Sequence, residues 1–132
     1  MTYQQTVEQK PGYQHFRVTG EKSRENVSGY IREIARVCMA RGCSRVLIEE
    51  RLEGSRLDMM EVFDIAAMGS SHALGLLKEL AYVDVHAAGD FMRFAETVAN
   101  NRMMPVRIFP SVAEAERWLL RNGLDGVARE SF

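Results

Sequence analysis

The stretch "RVLIEERLEGSRLD", Arg45 to Asp58, decides the fold. Val46, Leu47 and Ile48 form an apolar run that reads as a buried strand. Glu49, Glu50, Arg51, Glu53, Arg56 and Asp58 follow, with Gly54 and Ser55 at the bend. Charges gathered at the C-terminal end of a strand are where an α/β protein often keeps its working groups. Here the strand reads as "RVLIEE", Arg45 to Glu50, and the charge cluster as a charged loop beyond the strand. Alternation turns Glu49 and Glu50 to opposite faces, so the two carboxylates cannot share a metal ion.

Upstream of this strand, "SRENVSGYIREIARVCMARG" reads as a helix. Val27, Tyr30, Ile31, Ile34, Val37 and Cys38 recur at three and four, Ser23 suits the N-cap, and Gly42 suits the C-terminal stop. Gly29 inside it costs about 1 kcal/mol relative to alanine unless close packing needs it. Further back, residues 3–9 and 13–19 read as two strands joined at Pro11-Gly12, a strong turn pair.

Downstream, Leu57 to Ser71 reads as a helix with an unusually broad apolar surface. Met59, Val62, Phe63, Ala66 and Ala67 make one face, while Leu57, Ile65 and Met68 lie among the acids opposite. A helix apolar nearly all round is buried or covered by something. "ELAYVDVHAAGD" then holds a strand at residues 80–86, with Asp90 as N-cap of the helix "DFMRFAETVANNR". "PVRIF" is a short strand with Pro105 at its start. "SVAEAERWLLRNG" opens with the Ser111–Glu114 capping box and buries Val112, Ala115, Trp118 and Leu119. Residues 124–132 read as a frayed tail.

The order is β-β-α-β-α-β-α-β-α in one domain spanning residues 1–132, an α/β fold with four helices. Its five-stranded sheet is mostly parallel, because alternating strands and helices join through right-handed crossovers. The first strand, on its hairpin, is the antiparallel edge. If the parallel strands follow one another in simple order, the sheet has no reversal and no switch-point crevice for a nucleotide.

This element order resembles the SpoIIAA-like fold, shared by STAS domains and their relatives. The resemblance covers residues 13–122 and rests on "RVLIEERLEG", "ELAYVDV", "RFAETVANNR" leading into "VRIF", and "EAERWL" on the final helix. Anti-anti-sigma members carry a phosphorylatable serine in a D-[ST]-S-G motif where this chain reads "EGSRLDMMEVFD". Ser55 stands there without that context, which brings the chain closer to the SpoIIAA-like branch. Some relatives in that branch are grouped with lipid-binding folds. The resemblance implies a non-catalytic binding or regulatory domain, with an anti-anti-sigma-like regulator switched at Ser55 as the alternative.

Composition narrows the field further. The 132 residues are 46% hydrophobic and 27% charged, with a net charge of -1, a balance without the basic footprint of a nucleic-acid binder. No apolar run reaches membrane-spanning length, and the polar "MTYQQTVEQK" start lacks a signal peptide's apolar core, so the expected compartment is the cytoplasm. Cys38 and Cys43 read as two reduced thiols. No cofactor is expected, since Gly69, Gly75 and Gly89 form no G-x-G-x-x-G signature. Asp84 and His86 share a strand face and could exchange a proton, but no nucleophile accompanies them, and His15 and His72 stand alone.

The expected binding surface is an apolar groove. Leu57, Met60, Ile65 and Met68 of the broad helix would face Phe91 and Met92 of the next. Methionine and phenylalanine there suit an apolar small molecule or lipid, a protein partner, or a homodimer contact.

Overall fold

The computed structural model describes residues 3–42, 44–54, 61, 64, 77–84, 89–101 and 106–121. Five strands, β1 (Tyr3–Lys10), β2 (Tyr13–Glu21), β3 (Arg45–Glu53), β4 (Glu79–Asp84) and β5 (Val106–Phe109), form one sheet in the order β1-β2-β3-β4-β5. β1 pairs antiparallel with β2, and every other pairing is parallel. Three helices are described, α1 (Arg24–Arg41), α2 (Gly89–Asn101) and α3 (Val112–Leu120). The helix expected at residues 57–71 lies outside the described residues, apart from Glu61 and Asp64, which are helical. The expected frayed tail and Cys43 lie outside them too. No helix among the described residues is long and apolar enough to cross a membrane.

The strand parity that separates Glu49 from Glu50 also divides the core. Phe16, Val18, Val46, Ile48, Leu52, Leu80 and Val106 meet Val27, Tyr30, Ile31, Ile34, Ala35 and Cys38 of α1 on one face. Tyr13, Leu47, Ala81 and Val83 meet Ala115 and Leu119 of α3 on the other. β3 and β4 are therefore covered on both faces, as their apolar runs require.

Local chemistry explains the helix ends. Ser23 Oγ accepts from the Asn26 N–H at 3.1 Å, and Gly42 closes α1 at φ 67, where its N–H reaches the Cys38 carbonyl. Ser111 Oγ accepts from the Glu114 N–H, completing half of the expected capping box. Gly29 earns its place in α1 by contact, because a Cβ there would sit 3.3 Å from the Tyr3 ring. Trp118 departs from expectation. It is half-buried, with its ring 5.7 Å from Phe109 and the Arg121 guanidinium 4.7 Å above it, while Ala115 and Leu119 are the buried pair.

Candidate functional site

The strand does not give way to a charged loop after Glu50. β3 runs on to Glu53, and both Glu49 and Glu50 are 1% exposed. The loop reading fails because the flanking residues alternate correctly for a strand. Val46, Ile48 and Leu52 all face α1, so Glu50 between them must face it too. The turn comes at Gly54, whose φ of 125 lies in a region that glycine tolerates and side chains rarely adopt.

On the α1 face, Glu50 is the hub of a polar cluster. Tyr30 Oη donates to Glu50 Oε1 at 2.5 Å, and Tyr82 Oη donates to the same oxygen. The Lys22 ammonium lies 2.9 Å from Glu50 Oε2 and 3.2 Å from Asp84 Oδ2. Register produces this convergence, since Glu50 and Asp84 are paired across β3 and β4, with Tyr82 two residues before Asp84. Lys22 follows β2 and is anchored by its own N–H to the Glu53 carbonyl at 2.7 Å.

Burial drives both phenols well above their ordinary pKa, and the Glu50 charge adds to the effect. For Lys22, burial works against the ammonium, but the Glu50 and Asp84 carboxylates outweigh it and hold its pKa above the ordinary value. A carboxylate taken out of water this completely is tolerable only because these partners surround it.

On the opposite face, Glu49 has its own partners. His15 Nε2–H donates to Glu49 Oε1 at 2.8 Å, Arg17 Nε donates to it at 3.3 Å, and Arg51 Nε donates to Oε2. Burial raises this carboxyl, yet the hydrogen bonds from Arg51 and His15 and the Arg17 charge prevail, leaving its pKa below the ordinary value. His15 is therefore not isolated. Arg17 sits directly across from Glu49 in the β2–β3 register, and Arg51 lies two residues along the same strand.

The two acids thus carry separate networks on opposite faces of one strand. Among the described residues no group of three or more His, Cys, Asp or Glu side chains could hold a metal ion. Asp84 is drawn to Lys22, and His86 lies outside the described residues. Of the expected groove, Leu57, Met60, Ile65 and Met68, together with Ser55, lie outside the described residues. Phe91 and Met92 fall on α2, with side chains outside the described set. In the segment that carries the groove residues, the exposed Asp64 forms an ion pair of 3.2 Å with Arg24 at the start of α1.

Sequence reasoning missed Tyr30, Tyr82 and Lys22 as polar partners. Tyr30 counted only as part of the apolar stripe. The signal that exposes the network is the inward parity of Glu50, since a carboxylate in a buried row needs donors nearby.

The class defined by this fold is an α/β domain with a five-stranded mixed sheet in sequential order. Comparison with protein families, curated proteins and solved structures finds no match.

Proposed function

We propose that the protein is a non-catalytic, SpoIIAA-like binding domain. Its segment after β3, with Leu57, Met60, Ile65 and Met68, takes an apolar small molecule or lipid, or the apolar face of a protein partner. The observation that carries this reading is the state of the two acids where β3 ends. Glu49 and Glu50 are each buried and each held by fixed donors on separate faces. A reacting pair needs a shared, accessible space. Groups locked in this way serve a rigid platform, which leaves contact chemistry to the apolar segment that follows.

Native mass spectrometry of the purified protein tests the proposal. A bound apolar molecule or co-purifying partner is expected with the wild type and lost with Met68→Asp. Binding that survives Met68→Asp would overturn the assignment of the surface.

The rival reading, a regulator phosphorylated at Ser55, draws support from position alone. Ser55 immediately follows Gly54 at the end of the central strand. Incubation with a cognate kinase separates the two, because an unmodified Ser55 removes the switch.

A further inference from the structure

The edge strand β5 has a charge of opposite sign on each of its two sides. Alternation turns Val106 and Ile108 toward the α1 face of the sheet, and Arg107 with Phe109 toward α3. From α2, two side chains are fastened to this strand. Glu96 Oε2 accepts from the Ile108 N–H at 2.6 Å, and Asn100 Nδ2 donates to the Val106 carbonyl at 3.3 Å. These bonds fix both side chains, yet leave Glu96 Oε1 and Asn100 Oδ1 as acceptors without a partner among the described residues.

The Arg107 side chain makes no ion pair or hydrogen bond among the described residues. Its guanidinium lies 5.9 Å from the centre of the Phe109 ring and 5.8 Å from that of Trp118. A cleft of about 360 Å³ is lined by Glu96, Asn100, Val106, Arg107 and Trp118, together with Lys78 and Glu79 at the start of β4. Glu79 is already engaged, with Arg45 Nε on one oxygen and Arg121 Nη2 on the other. Lys78 is engaged as well. What remains is one carboxylate and one guanidinium that face the same cleft without pairing with each other.

We infer that this cleft takes a free α-amino acid, its ammonium on Glu96 Oε1 and Asn100 Oδ1 and its carboxylate on the Arg107 guanidinium. A lone anion answers Arg107 but then faces Glu96, and a lone cation does the reverse. A zwitterion answers both, and loses its freedom of motion only once. The guanidinium fork matches a carboxylate with two parallel bonds. The three donors of an ammonium suit two acceptors set one helical turn apart on α2. Val106 and the half-buried Trp118 ring offer an apolar wall to the ligand's side chain. The volume lies at the lower end of small-molecule sites, which fits a ligand of this size. The inference is independent of the apolar segment after β3.

Trp118 is the chain's single tryptophan, so its fluorescence reports on the cleft directly. Titrating the dialysed full chain with the free L-amino acids, one at a time, should give a saturable change for at least one of them. For that one, the N-acetyl form lacks the ammonium and the amide form lacks the carboxylate. Each should bind at least ~10-fold more weakly than the free amino acid. Glu96→Gln keeps an acceptor for the Ile108 N–H but removes the charge, and Arg107→Gln removes the opposite pole. Both should weaken the free amino acid by a similar factor. Glu96→Gln should spare the N-acetyl form, and Arg107→Gln should spare the amide. Far-ultraviolet circular dichroism reports whether each variant is folded, and if Glu96→Gln is not, the exposed Arg107→Gln decides. No saturable change with any amino acid, confirmed by calorimetry, overturns the inference. So does binding in which the blocked forms match the free amino acid, or binding that the folded variants leave unchanged.

Discussion

Tyr30 on α1 and Glu50 on β3, twenty positions apart in the chain, meet at 2.5 Å inside the protein. That bond ties the first helix to the central strand at the end where the charges gather. Glu50→Ala should therefore destabilise by about 3–5 kcal/mol, as does breaking a buried pair while leaving its partners behind. Urea unfolding measures it. A loss below 1 kcal/mol would mean that Lys22 and the two phenols find other partners.

The acid side of the stability curve should belong partly to Glu49. Its folded pKa lies below the ordinary 4.5, so on acidification the unfolded state takes up the proton first. The stability it contributes is present above that ordinary value and is lost as pH falls through the folded value. Glu49→Gln should flatten this limb of the melting-temperature profile. An identical acid limb in both proteins would contradict the assignment.

All four tyrosines, Tyr3, Tyr13, Tyr30 and Tyr82, have pKa values raised above 10.0, with burial the leading cause in each. Ultraviolet titration of the folded protein should show far less than half of the tyrosinate signal at that pH. The protection is present below 10.0 and fails as the pH climbs through the folded values. Lys22 follows the same sign, because its raised pKa adds stability that is complete below 10.5 and lost above. Half-ionisation at pH 10 would place the rings in water.

Leu119→Ala should cost about 2–5 kcal/mol, since Leu119 is 1% exposed beneath α3. Trp118→Ala should cost less despite the larger side chain. Its ring is half-buried, with a face turned to Arg121, and truncation there opens little cavity. Thermal unfolding of the two variants gives the order directly, and a reversed order would move Trp118 into the core.

Much of the architecture was legible because it rests on local chemistry. The stripe of α1, the Ser23 and Ser111 caps, the Gly42 stop and the Pro11-Gly12 turn each act within a few residues. The antiparallel β1 follows from the same turn. The polar networks were not legible in that way. Glu50 meets Tyr82 only through the β3–β4 register, and Lys22 reaches Asp84 from sixty-two positions away. Ending the strand at Glu50 gave the charges of Arg51 and Glu53 weight over parity, whereas the alternation that buries Leu52 carries the strand on to Glu53. Trp118 erred in the opposite direction, because an aromatic at helical spacing can lie at the rim of a core as well as within it.

The central claim is that the segment after β3 binds an apolar molecule or partner, and native mass spectrometry of wild-type and Met68→Asp protein tests it most directly. The account predicts a wild-type species heavier than the bare 15.0 kDa chain by a bound apolar molecule or partner, and the loss of that addition in the variant. A wild type that carries nothing but its own chain, or a variant that carries the same addition, would contradict it.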